Sequence, residues 1–126
     1  MQQKYLHTPD ALGLIVLGGA VGASIRWGLI EVLPIGEPFW GLLVVNGLGC
    51  LLVGWFRGTG PDPGPAPTPL ISGFCGGLTT FSTVAVETAL LLDHGRTGLM
   101  AVYLTASLLT GLGLIVVGQR MRSATS

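Results

Sequence analysis

The chain has 126 residues, of which 49% are hydrophobic, 10% are charged and 21 are glycine, and its six basic and six acidic side chains cancel. A soluble domain carries about 25% charged residues to solvate its surface. A lone soluble fold is therefore excluded, disorder is excluded by the apolar content, and the neutral balance excludes the basic surface that nucleic acid requires. What remains is a single integral membrane domain, 1–126, built from four transmembrane helices.

The first expected span covers about 11–33. No A-x-A-like cleavage site follows it, so it reads as a retained helix rather than a secretion signal. Gly18, Gly19, Gly22 and Ala23 form overlapping small-x-x-x-small pairs, which let helices approach closely. Arg26 sits in the C-terminal part of the span. It either snorkels to the headgroups or stands as a positive charge at the mouth of an anion path.

After a break between Pro34 and Pro38, the second span covers about 39–56. Trp40, Trp55 and Phe56 lie at its ends, where aromatic rings favour the membrane interface. Gly47, Gly49 and Gly54 add further small surface, and Asn46 lies near mid-span. An amide in lipid is costly without a partner. Asn46 therefore either bonds a neighbouring helix or donates to a solute path. Cys50 here and Cys75 in the next span lie in apolar runs and read as free thiols. Residues 58–69 read GTGPDPGPAPTP, five prolines in twelve, an extended linker.

The third span, about 70–92, contains GFCGGLTTFST at 73–83. Gly76 and Gly77 tolerate non-helical backbone, and the hydroxyls of Thr79, Thr80, Ser82 and Thr83 compete for local main-chain bonds. The expectation is a helix broken at mid-membrane. Broken backbone survives there only where it is buried or lines a cavity, and it offers carbonyls to cations and amides to anions. Glu87 follows as a proton carrier, a vestibule group or a partner of a basic side chain. Asp93, His94, Gly95 and Arg96 connect to the fourth span, about 97–118, where Tyr103, Ser107 and Thr110 share one helical face. With Asn46 they suit a ladder of donors for a small, strongly hydrated anion; bonding to their own backbone is the alternative. Lys4, Arg57, Arg120 and Arg122 on one side against Arg26 and Arg96 on the other mildly favour cytoplasmic termini, and also match a chain inserting both ways. Four helices enclose little room for a polar path, so self-association is expected.

These motifs resemble the small bacterial fluoride channels of the Fluc or CrcB family, over nearly the whole chain. The residues that carry the resemblance are GGAVGASIRW at 18–27, VNGLG at 45–49 and, most specifically, 73–83. The resemblance implies an antiparallel, dual-topology dimer in the cell membrane, as a homodimer or a heterodimer with a related subunit, that passively exports fluoride. It implies a structural sodium ion at the dimer centre on the carbonyls of Gly76 and Thr79. It places Asn46 and Phe81 in the fluoride pathway, the phenylalanine by its positive ring edge. Thr80, Ser82, Tyr103, Ser107 and Thr110 extend that pathway, and Arg26 and Glu87 are vestibule or structural charges. One departure is plain: the family's second pore phenylalanine falls at Val84.

Two other readings compete. A small proton-coupled multidrug exporter also has four short helices, but needs a carboxylate deep in the first span, where this chain has only Glu31 near the end. A non-transporting structural subunit or assembly factor leaves the glycines and hydroxyls of the third span without a purpose, whereas a partner subunit of a heterodimeric channel, with the second ring supplied by the other chain, stays open. No nucleophile, base and orienting group stand at catalytic spacing, so no enzyme is expected.

Overall fold

The computed structural model describes residues 9–32, 38–58 and 69–125. The expected Pro34 break, the interior of the proline linker, Lys4 and the last residue of the first expected span lie outside the described residues. Five helices follow in order: α1 Pro9–Val32, α2 Pro38–Arg57, α3 Pro69–Leu78, α4 Phe81–Asp93 and α5 Thr97–Ala124. Four helical stretches are long and apolar enough to cross a membrane, with α3 and α4 together forming the third. The protein is a multi-pass α-helical membrane protein.

Element ends follow local chemistry. α2 stops where Gly58 takes φ 61° and its amide bonds the Gly54 carbonyl at 3.0 Å, a left-handed cap open to glycine without strain. α4 stops at Gly95, φ 70°, where Gly95 N bonds Leu92 O at 3.0 Å and Arg96 N bonds Leu91 O at 2.8 Å. This pair of bonds satisfies the last carbonyls, so the chain turns into α5 within three residues without orphaned backbone. α5 runs past the expected end at Gly118 to Ala124. Gln119, Arg120, Met121 and Arg122 are good helix formers, and the long cationic side chains of Arg120 and Arg122 suit the headgroup layer.

The helices pair by their glycines. α1 packs chiefly on α3, and α2 chiefly on α5. A Cβ at Gly18 would strike the Leu70 carbonyl, and one at Gly22 the Phe74 carbonyl. Reciprocally, a Cβ at Gly73 would strike the Ile15 carbonyl, and one at Gly77 the Gly19 carbonyl. Main chain lies directly on main chain along two turns of each helix. Gly54 against Ile115 and Gly118 against Leu51 repeat the arrangement between α2 and α5. Lipid offers no hydrophobic drive for helix pairing, so close van der Waals contact must supply it. Cα–H···O contacts at such crossings add about 0.5–1 kcal/mol each. α4 instead meets α2 and α5 through side chains: Leu42, Val84, Leu91 and Tyr103 form a buried cluster flanked by Ile30, Trp40, Leu43, Leu99 and Met100.

A side chain at these crossings has nowhere to go. Gly77→Ala should lower unfolding stability in detergent by about 3 kcal/mol, the upper end for overpacking. Gly28→Ala, with nothing within 4 Å of the added carbon, should be neutral or stabilising by about 0.5–1 kcal/mol. Equal effects in a denaturant titration of the two variants contradict the main-chain contact.

Candidate functional site

The site is organised by Thr79 and Thr80, which lie between α3 and α4. The last main-chain bond of the α3 ladder runs from Thr79 N to Cys75 O, 3.0 Å, and the Thr79 hydroxyl donates to the same carbonyl at 2.9 Å. Thr80 is extended, with φ −151° and ψ 124°, and its hydroxyl caps α4 by accepting from Thr83 N at 3.3 Å. The hydroxyls of Ser82 and Thr83 stand 3.0 and 3.2 Å from the same Thr80 oxygen. Threonine suits this post because a hydroxyl at the N-cap replaces a missing helical acceptor.

Side chains from two other helices bond the main chain of both residues. Asn46 on α2 chelates the Thr80 main chain: Thr80 N donates to Asn46 Oδ1 at 2.9 Å, and Asn46 Nδ2 donates to Thr80 O at 3.2 Å. Arg26 on α1 donates from Nη1 to Thr79 O at 3.3 Å. Arg26 is thus tied to the break rather than left to the headgroups, and its reach depends on the glycine contact that draws α1 onto α3. The second N–H of the Asn46 amide remains available, since one Nδ2 carries two donors.

A cavity of about 510 Å³ opens beside this junction, between α2, the start of α4 and α5. Asn46, Thr79, Thr80, Phe81, Val84 and Ser107 contribute to its wall, and among the described residues no charged side chain does. The structure therefore gathers Asn46, Thr80, Phe81 and Ser107 of the expected pathway around one space. It leaves three others off that wall. Tyr103 is fully buried against Leu42, Val84 and Leu91, although its hydroxyl neighbours that of Ser107. Thr110 packs near Gly47. Ser82 is exposed, with its hydroxyl on that of Thr80. Glu87 lies within electrostatic range of the Tyr103 hydroxyl. Phe81 is 83% exposed and Val84 only 7%, so two residues one helical turn apart have opposite settings. Cys50 and Cys75 are free thiols.

Sequence reasoning missed the bond from Arg26 to the break and the space that Gly49 provides. Gly49 leaves the space that the Thr79 methyl fills. The signal available was the placement of one cation and one glycine on the spans that flank the hydroxyl run.

The carbonyls of Gly76 and Thr79 have the chemistry of a hard-cation site. Gly76 has lost its helical donor, because Thr80 N is spent on Asn46, and a Cβ there would meet nothing within 4 Å. Thr79 O keeps its second lone pair beside the Arg26 bond. Carbonyl oxygens suit a hard cation, and two are fewer than the roughly six oxygens its shell takes.

Apolar spans, main-chain helix packing and an interrupted third span beside a polar cavity define a small polytopic membrane protein with a place for a small solute. Residues 13–119 match the family described as CrcB-like protein, Camphor Resistance (CrcB). The chain is 38% identical over 115 residues to the fluoride-specific ion channel FluC of Xanthomonas euvesicatoria, covering 85% of this chain and 86% of that one. It is 41% identical over 115 residues to fluoride-specific ion channel FluC 2 of Symbiobacterium thermophilum, covering 85% and 93%. The fluoride-specific ion channel FluC of Thermus thermophilus is 38% identical over 117 residues, covering 88% and 94%. The chain belongs to the CrcB family.

Removing either side chain that holds the break exposes an unpaired main-chain group. Asn46→Ala and Arg26→Ala should each cost about 1–3 kcal/mol of unfolding stability. A double-mutant cycle should show coupling of about 0.5 kcal/mol or more, because both act on one two-residue junction. Strict additivity means the two bonds are independent.

Proposed function

We propose that this protein is a fluoride-selective ion channel of the cell membrane that lets cytoplasmic fluoride leave passively and so lowers its toxicity. The observation that carries the reading is the convergence of Asn46, Phe81 and Ser107 on one cavity whose wall has no carboxylate among the described residues. A desolvated anion needs donors and positive edges in place of its water. The spare Asn46 N–H, the Ser107 hydroxyl and the Phe81 ring edge are such groups. The names of the related proteins supply the identity of the anion.

The unit that conducts is an antiparallel dimer, with a second copy or a related subunit. Two features of the single chain support it. Phe81 borders the cavity yet is 83% exposed, a surface that a second subunit would cover. The Gly76 and Thr79 carbonyls offer an incomplete shell, which a second break would complete. These carbonyls would hold a structural sodium ion, and that ion supplies a fixed positive charge at the centre when bound. This chain's own part is to orient: Thr80 fixes the Asn46 amide, and Arg26 holds the Thr79 carbonyl.

A proton-coupled exporter of cationic drugs fits less well. In α1 the acidic residues Asp10 and Glu31 stand in the first and last turns, and none borders the cavity.

Purified protein in liposomes should release fluoride to an electrode while retaining chloride. Phe81→Ala should slow release about three- to tenfold, the worth of an aromatic edge of about 0.7–1.4 kcal/mol. Val84→Phe, which turns a ring toward the cavity, should raise it. Release that is absent from well-folded protein, alone and with a related subunit, contradicts the channel; a rate unchanged by Val84→Phe removes Val84 as the limit on conduction.

A further inference from the structure

We propose that the paired ends of α2 and α5 form a docking site for the headgroup of an anionic phospholipid, held by Arg57, Arg120 and Arg122. The inference does not depend on which solute the protein passes. Successive spans reverse direction, so α2 and α5 run parallel and finish at the same face of the membrane. Their contacts follow that order: Gly47 faces Leu114, Gly54 faces Ile115, and Gly118 faces Leu51 and Trp55. At the end of the series, Arg122 Cγ stands 3.4 Å from the place of a Cβ on Gly58. Gly58 follows Arg57 directly, and its left-handed backbone, φ 61°, closes α2. The stem of Arg122 thus lies on the cap of α2, which brings arginines from two helices to one point.

Charge sets the class of partner. At this face the described residues hold Arg57, Arg120 and Arg122 against Asp10 alone. Asp10 sits in the first turn of α1, the helix that packs chiefly on α3. At the opposite face Arg96 and His94 stand with Glu31 and Asp93, and no such excess arises. Arg57 and Arg122 lie in the last turns of their helices, where a cation offsets the helix dipole. That role needs only a positive charge. All three residues are arginine, whose planar fork matches two phosphate oxygens where an ammonium is a point charge.

The apolar side of the site lies one turn deeper on α5. Val116, Val117 and Met121 are about half exposed. Val116 and Arg120 share one helical face, as do Val117 and Met121. An acyl chain can lie along the valines while its phosphate sits at the level to which long arginine stems reach. A soluble anion would meet the cations alone; a phospholipid meets both surfaces.

The test is native mass spectrometry of the purified full chain in detergent, titrated with phosphatidylglycerol or phosphatidylcholine. Phosphatidylglycerol should be retained at least about tenfold more tightly, since each arginine near a headgroup is worth about fivefold. Arg57→Gln and Arg122→Gln should each lower that preference about fivefold, and the double variant should abolish it. Arg57→Lys should recover only part of it, because the fork is lost. Arg96→Gln, at the opposite face, should leave it unchanged. Added salt should weaken the wild-type preference. Thermal unfolding gives a second readout: phosphatidylglycerol should raise the midpoint of the wild type and of Arg96→Gln, but not of the double variant. Inorganic phosphate at matched concentration should neither raise the midpoint nor displace the lipid. Equal retention of the two lipids by the wild type overturns the proposal, as does a preference that survives the double variant. Full displacement by inorganic phosphate overturns it too, and makes the site one for a soluble anion.

Discussion

The double hydrogen bond between the Asn46 amide and the Thr80 main chain is the interaction on which the rest of the structure depends. In lipid, an unpaired backbone group costs several kcal/mol. A helix that stops at Leu78 and restarts at Phe81 therefore needs substitutes for the ladder bonds it gives up. Asn46 supplies both a donor and an acceptor to one residue, Arg26 supplies a donor to the residue before it, and the Thr80 hydroxyl caps the helix after it. The same act that satisfies the junction releases the Gly76 carbonyl and orients the remaining Asn46 N–H. One amide thus repairs the junction and keeps one N–H unspent.

That junction is possible only because the helices approach so closely. Gly18, Gly22, Gly73 and Gly77 bring the α1 and α3 main chains together, and this proximity carries Arg26 to Thr79. Gly49 does the same at side-chain scale by leaving room for the Thr79 methyl. A larger residue at any of these positions would act at a distance: it would shift the carbonyl or methyl that the site uses. The glycines of this chain thus belong to the site as much as to the packing.

Much of the membrane architecture was legible because its signals are local. Long apolar runs gave the spans, and the α4 end followed from Gly95 next to Asp93 and His94. The hydroxyls at 79–83 pointed to local bonding of the main chain, and Thr79 and Thr80 do bond in that way. What could not be read was long-range pairing. Nothing in the first span says that Arg26 faces the third rather than the headgroups, since the choice depends on which glycine face α1 presents. Asn46 was open between a structural bond and a solute donor, and one amide has capacity for both. The hydroxyl stripe of α5 looked uniform by its spacing, yet Tyr103 turns into the core cluster while Ser107 borders the cavity. A periodicity of 3.6 places residues on one face but does not say how that face is divided between a neighbouring helix and a space.

The central claim is that Asn46, and not a continued helical ladder, satisfies the Thr80 amide. Amide hydrogen exchange, resolved by residue in nanodiscs, addresses it directly. The account predicts that Thr80 N–H is protected in the wild type and exchanges at least about tenfold faster in Asn46→Ala, the loss of about 1.4 kcal/mol of local protection, while the amides of Leu78 and Val84 keep their protection. Unchanged protection at Thr80 in Asn46→Ala would mean that its amide bonds elsewhere, and would contradict the account.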